Sequence, residues 1–185
     1  EKNKYGSYRH FKFCPMCGGS MDFKEYEGQL RQVCTNCGYV YYKNPSPGVV
    51  VLIEKDGMVL LGKRLSKYGK GKWCLPGGFI EYEEDFLSAA CREIKEETGL
   101  TINIQSILNV VTNYLTPELH TLVIVLLAHV KEGTPRAGDD IGEIKWYPLS
   151  GPLPEMAFES DMHIIERYYK TGINGVQVNS DNKGI

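Results

Sequence analysis

The 185-residue chain predicts an α/β fold with a mixed, buried sheet, preceded by a small separate module. Three observations carry this. Four of the six cysteines fall in the first 37 residues, which sets a module apart. Beyond it, short β-branched and apolar runs follow one another between turn signals. Two segments, 85–98 and 161–170, instead repeat their apolar residues at helical spacing.

The module comes first. Cys14-Pro-Met-Cys17 and Cys34-Thr-Asn-Cys37 are two Cys-x-x-Cys pairs sixteen residues apart, a spacing that lets two knuckles present four thiolates to a tetrahedral zinc ion. Gly18 and Gly38 follow the pairs, where a sharp turn aims backbone N–H groups at sulfur. Two disulfides or a redox dithiol are the competing readings; doubled spacing in a reducing compartment favours Zn²⁺ on Cys14, Cys17, Cys34 and Cys37. A segment of about 40 residues builds little core of its own, so the first role of the metal is stability. Phe11, Phe13, Tyr26, Tyr39, Tyr41 and Tyr42 suit either base stacking or packing. Cys74 and Cys91 read as core thiols.

Asn44-Pro45-Ser46-Pro47-Gly48 closes the module, since two prolines block regular pairing, and the boundary falls near residue 44. Strands are expected at 49–53 and 58–64, joined through Glu54-Lys-Asp-Gly57, whose Asp-Gly adopts the positive φ of a tight hairpin. A Gly- and Lys-bearing loop, 66–72, and Leu75-Pro-Gly-Gly78 precede a helix over 85–98. Phe86, Leu87, Ala90, Cys91 and Ile94 form its apolar face, and Gly99 ends it. Further strands follow at 102–107, 108–114, 119–130 and around Trp146. Ser160 is expected to cap a last helix over 161–170, with Met162, Ile165 and Tyr169 on one face and Gly172 beyond it. Residues 173–185 read as a loosely ordered tail.

With 21 Lys+Arg against 23 Asp+Glu, the net charge of −2 argues against gripping a nucleic-acid backbone or an acidic membrane as the main function. The longest apolar run, 121–130, is half of what a membrane-spanning helix requires. Residues 1–13 carry no apolar leader, so the cytoplasm is the expected location.

Charge is instead local. Glu81, Glu83, Glu84, Asp85, Glu93, Glu96 and Glu97 outnumber Arg92 and Lys95, and a helix places Glu93, Glu96 and Glu97 on one face. Helical spacing alone describes a solvated acidic face as well as a cation site. The context favours the cation: Lys63, Arg64, Lys67, Lys70 and Lys72 lie just upstream, and Gly77-Gly78 lets backbone approach a ligand. A basic segment beside a Mg²⁺-binding acidic face suits a pyrophosphate. Arg64, leaving a strand, is the expected phosphate contact.

Gly78, five residues, Glu84, seven residues, then Arg92-Glu93-Ile94-Lys95-Glu96-Glu97-Thr98-Gly99-Leu100 resembles a complete Nudix box, G-x5-E-x7-R-E-U-x-E-E-x-G-U with U aliphatic. With the cysteine module, the chain is similar to zinc-ribbon-bearing Nudix hydrolases of the ADP-ribose, FAD and NADH pyrophosphatase kinds. The resemblance implies an α/β/α sandwich with a mixed sheet over 44–172, after a zinc ribbon at 1–43 and before a tail at 173–185. It also implies water attack on the pyrophosphate of a nucleoside diphosphate linked to another moiety. Glu93, Glu96, Glu97 and the Gly78 carbonyl would hold Mg²⁺ or Mn²⁺. Arg92 would orient Glu93, Glu84 would support the loop, and Glu93 or Glu97 would act as general base. A later acid often joins the site in this family; Asp140 takes that place here, with Glu143 as runner-up.

The Ser-Gln-Pro-Trp segment of NADH pyrophosphatases has no counterpart between residues 100 and 154, which favours ADP-ribose or FAD-like substrates over NADH or NAD. Pro117 resembles a position in ADP-ribose pyrophosphatases. Tyr68, Trp73, Phe79 or Tyr114 would stack on a base if not committed to the core. His10, His120, His129 and His163 have no ligand spacing. The expected partner is a small nucleotide, with nucleic acid and membrane not expected and a homodimer known among related enzymes. The alternative is a binding module in which the ribbon engages nucleic acid and the second domain senses a nucleotide.

Overall fold

The structure, a computed structural model, describes residues 11–116 and 118–178. His10, Pro117 and residues 179–185 lie outside the described residues. The chain divides into two units, one of the segment up to residue 46 with residues around 114–120, the other of 47–113 and the segment from 121.

In the first unit, β1 (Met21–Tyr26), β2 (Gln29–Cys34) and β3 (Val40–Tyr41) form an antiparallel sheet in that order. Glu27 and Gly28 turn β1 into β2, both at positive φ (51° and 73°), the geometry that matches strand twist in a two-residue hairpin. Among the described residues Cys14, Met21 and Cys34 are buried as a small apolar cluster with Tyr39 and Tyr41 packed against them. The Gln32 amide takes both backbone groups of Phe11, accepting from its N–H (3.1 Å) and donating to its carbonyl (2.9 Å).

The second unit is built on β4 (Ser46–Lys55), β5 (Met58–Arg64), β6 (Trp73–Cys74), α1 (Phe86–Thr98), β7 (Thr101–Tyr114), β8 (His120–Glu132), β9 (Ile141–Pro148), α2 (Glu159–Thr171) and β10 (Val176–Gln177). Its mixed sheet runs β10-β7-β8-β4-β5-β6, with β9 also pairing with β5. Asp56 and Gly57 (φ 52° and 74°) join β4 to β5, as Asp-Gly predicts.

Period two assigns the faces. Val49, Val51 and Ile53 of β4, Leu60 of β5, and Leu126 and Ala128 of β8 pack with Ala89, Ala90 and Ile94 of α1. Their neighbours Leu52, Val59, Leu61, Val125 and Leu127 pack with Ile164 and Ile165 of α2. Each helix therefore covers one face, and both faces being buried explains why the strands read as continuous apolar runs.

Several expectations change. The segments 102–107 and 108–114 are one strand, β7, because no turn residue separates them. Phe158, not Ser160, is the N-cap of α2 and makes no side-chain cap bond; Ser160 sits inside the helix. The buried residues of α2 are Asp161, Ile164 and Ile165, while Tyr169 is exposed. Cys74 is buried, but Cys91 is exposed, since it lies on the flank of α1 away from Ala90 and Ile94. Residues 176 and 177 pair with Ser106 and Ile107 of β7. Ser106 Oγ also donates to the Asn174 carbonyl, so this part of the expected tail is held at the sheet edge.

Candidate active site

The acidic face is fixed by the capping of α1 and by the loop before it. Asp85 is the N-cap, its Oδ1 accepting from the N–H groups of Leu87 (2.9 Å) and Ser88 (3.0 Å), and Gly99 closes the helix in the left-handed conformation. Thr98 Oγ1 donates to the Ile94 carbonyl (2.6 Å).

Arg92 is the hub of the face. Its Nη1 donates to Glu93 (2.8 Å) and Glu96 (3.1 Å), and its Nε and Nη2 make a fork to Glu84 (3.1 and 2.5 Å). Nη2 also donates to the Phe79 carbonyl (3.1 Å), and Glu84 accepts from the Glu81 N–H (2.9 Å). The Arg92 hydrogen bond holds the Glu84 carboxyl below the usual range. One guanidinium thus ties the helix to the loop at both ends of the motif.

Glu97 is only 2% exposed, and its Oε2 accepts from the Gly77 N–H at 2.7 Å. Burial pushes its carboxyl up to about 9, with Asp140 and Glu93 adding repulsion against the Gly77 bond. Burial likewise raises Glu93, against the pull of Arg92.

The glycines make room. A Cβ on Gly78 would lie 2.5 Å from the Glu93 carboxylate, and one on Gly77 (φ 146°) would lie 2.2 Å from the Val49 carbonyl. The Gly78 carbonyl, expected as a ligand, accepts the Val49 N–H (2.9 Å), which leaves one lone pair.

Asp140 is brought beside Glu97, as its effect on that carboxyl shows. Glu143, the runner-up, instead faces Lys63 at 3.5 Å across β5 and β9. Asp139, which sequence reading passed over, lies close enough to Glu93 to oppose its ionisation. The adjacent pair Asp139-Asp140 was the available signal. Arg64 reaches the site but is engaged by protein: Nε donates to the Tyr68 carbonyl (3.0 Å), Nη2 to Ser66 Oγ (2.5 Å), and Nη2 lies 3.7 Å from Asp140. Its guanidinium stands 5.2 Å over the Phe158 ring, and Phe158 stacks on Tyr68. Trp73 is a core residue edge-on to Tyr147, whereas Phe79 and Tyr114 are exposed.

In the first unit the four cysteines bring their Sγ atoms within 4.8 Å of one another, with Cys14 to Cys37 at 3.7 Å and Cys17 to Cys34 at 3.5 Å. A tetrahedron with Zn–S bonds of about 2.3 Å has edges of about 3.8 Å, whereas a disulfide needs about 2.05 Å. Gly18 and Gly38 adopt φ 72° and 76°, and N–H groups of residues 16, 36 and 37 donate to Cys14 and Cys34. The Cys37 N–H is the main cause that brings the Cys34 thiol down to about 6, toward the thiolate a metal takes.

The family described as NUDIX domain matches residues 43–168, and the one described as Nudix N-terminal, a zinc ribbon, matches residues 12–43. The chain belongs to the NUDIX family. An ADP-ribose pyrophosphatase of Methanocaldococcus jannaschii is 40% identical to it over 133 residues, 71% of this chain and 78% of that protein. The NAD-capped RNA hydrolase NudC of Pseudomonas aeruginosa is 28% identical over 164 residues, 86% of this chain and 56% of NudC. The chain therefore spans about half the length of its NudC relatives. The crystal structure of a NUDIX hydrolase from Nitrosomonas europaea superposes with a TM-score of 0.76 at 26% identity, covering 91% of this chain and 97% of that one. A MutT NUDIX hydrolase from Burkholderia pseudomallei gives 0.62 at 31%, covering 67% and 98%.

Family membership makes the chain a pyrophosphohydrolase with Mg²⁺ or Mn²⁺ as cofactor and Zn²⁺ in its ribbon. The donor sets fit. Among the described residues the cysteines form the group whose ligand atoms already converge, whereas Arg92 draws Glu93 and Glu96 to one nitrogen. Mg²⁺ needs no closed protein cage, because waters and substrate phosphate oxygens complete its octahedron. No helix of the described residues is long and apolar enough to cross a membrane.

Proposed function

We propose that this Nudix hydrolase cleaves the pyrophosphate of a nucleoside diphosphate linked to another moiety, with ADP-ribose or an FAD-like dinucleotide as substrate. The gathering of Glu93, Glu97 and Asp140 against the Gly77-Gly78 turn carries this reading. The ADP-ribose pyrophosphatase relative supports the substrate class.

When bound, Mg²⁺ or Mn²⁺ supplies charge neutralisation for the pyrophosphate and acidifies water. Glu93, Glu96 and Glu97 would hold it, with the Gly78 carbonyl as a further donor. Arg92 aims Glu93, and Glu84 anchors Arg92. Glu93 or Glu97 takes the proton from the attacking water as its oxygen bonds to one phosphorus. The bridging P–O bond breaks with its electron pair on the departing phosphate, and two monophosphates result. Asp140 completes the acidic cluster, and Arg64, engaged by Tyr68, Ser66 and Asp140, orders the 65–72 loop beside it. The domain limits 1–43, 44–172 and 173–185 belong to the same reading.

A second substrate reading follows from the NudC match, which extends over the ribbon: an NAD moiety, free or at an RNA 5′ end. Phe13 of the first unit is exposed and suits base stacking. A panel of ADP-ribose, FAD, NADH, NAD and NAD-capped RNA assayed with Mg²⁺ decides between them. ADP-ribose or FAD with the highest kcat/KM supports the first reading; capped RNA preferred over free NAD supports the second. RNA affinity independent of Mg²⁺, without turnover of any compound, would support the binding-module alternative. The cytosol is the compartment this reading assigns, because a four-thiolate zinc set needs reduced cysteines. A homodimer is read by sedimentation velocity.

A further inference from the structure

Asp161 is a carboxylate 3% exposed in the first turn of α2, outside the Nudix box and on the helix that covers the opposite face of the sheet from α1. A buried carboxylate is costly unless bonded. Its Oδ2 accepts the Leu75 N–H at 2.9 Å, and its neighbour Ser160 is 3.5 Å from Oδ1. Leu75 opens the Leu75-Pro76-Gly77-Gly78 turn. Two residues on, the Gly77 N–H holds Glu97 at 2.7 Å, and the carbonyls of Pro76 and Gly78 accept from Val51 and Val49 of β4 (both 2.9 Å).

The turn is thus gripped on one side by β4 and at its start by α2, and what it presents to the cation site is the N–H that sets the Glu97 rotamer. The segment before α2 is held to the same place: Trp73 N–H donates to the Glu155 carbonyl (2.9 Å) and Ala157 N–H to the Trp73 carbonyl (2.7 Å). From this geometry we infer that Asp161 is a positioning residue of the hydrolase, fixing the start of the Gly77-Gly78 turn and through it Glu97. The inference rests on the reading of Glu97 as a cation ligand.

A carboxylate serving only the packing of α2 would affect stability alone. A positioning role predicts more: loss of the Leu75 acceptor lets the turn shift, weakens cation binding and lowers kcat, while KM for a substrate gripped elsewhere changes little. The size expected for a group acting behind a metal ligand is about tenfold or more in metal affinity.

The test is the Mn²⁺ dissociation constant, read by electron paramagnetic resonance on the full chain with its zinc, beside kcat and KM. Wild type, Asp161→Ala, Asp161→Asn and Glu97→Gln are compared. Asp161→Ala should weaken Mn²⁺ by about tenfold and lower kcat, and Asp161→Asn, which keeps an acceptor oxygen, should restore both. Should Asp161→Ala fail to fold, Asp161→Ser, whose hydroxyl is too short to reach Leu75, replaces it. Wild-type Mn²⁺ affinity in folded Asp161→Ala or Asp161→Ser, with Glu97→Gln weakened, overturns the positioning role and leaves the cation site standing. Equal losses in the Asn and Ala variants also overturn it. An unaffected Glu97→Gln removes both readings.

Discussion

Glu97 has a chemistry that depends on its neighbours: buried, bonded to one N–H and flanked by acids, it cannot ionise freely without a counter-charge. Glu97→Gln keeps the shape and removes the charge, so kcat should fall by about 100-fold or more at an unchanged far-ultraviolet circular dichroism spectrum. A near-wild-type kcat would take Glu97 out of the site. Gly78→Ala, whose methyl would lie 2.5 Å from the Glu93 carboxylate, should lower activity by displacing that side chain. Asp161 gives a pH signature of stability. Burial raises its carboxyl to about 7, against the pull of the Leu75 N–H, Arg64 and Ser160, so the folded state keeps a proton that the unfolded chain releases near 4. This contribution to stability is full below about pH 4 and is lost as pH rises toward 7; urea midpoints of Asp161→Asn should therefore show a flatter decline across that window than wild type.

At the scale of elements, α1 is held by its buried face of Ala89, Ala90 and Ile94 and by its caps, while on the outer face Arg92 offsets the like charges of Glu93 and Glu96. Its N-cap satisfies two N–H groups, and Asp85→Ala should cost about 1 kcal/mol, measured by urea unfolding. Arg92→Lys keeps the charge but loses the fork to Glu84 and the bond to Phe79; the effect expected is a large fall in kcat, because the helix and its loop are no longer tied by one planar group. Asp56-Gly57 marks its turn in the sequence, whereas Glu27-Gly28 makes the same turn unmarked, because Glu at the first position carries no turn preference. The α2 cap differs for a related reason: Ser160 has the side chain of a cap, but the N-cap is Phe158 and the helix starts at Glu159, two residues before the expected start.

At the scale of the whole molecule the two metals separate. A chelator that strips zinc should unfold the first unit, whose apolar cluster among the described residues is small and includes two of the zinc-binding cysteines, and the loss should be visible in the near-ultraviolet. Removing Mg²⁺ or Mn²⁺ alone should abolish turnover while the second unit, with its two clusters on either side of the sheet, remains folded. Equal unfolding under both treatments would contradict the division of roles.

The sequence by itself determined what is local or periodic: the cysteine spacing, the Nudix box, the acidic face of α1, the Asp56-Gly57 hairpin and the strands buried on both faces. These depend on residues within a few turns of one another, where helical and strand periods leave little choice. Tertiary structure decided the rest. That Arg64 spends its guanidinium on Tyr68, Ser66 and Asp140, that Glu143 goes to Lys63 while Asp140 reaches Glu97, and that Asp161 grips Leu75 across 86 residues are outcomes of sheet order and of how α2 meets β6. No spacing encodes them, because the partners meet only after β4, β5 and the two helices have packed.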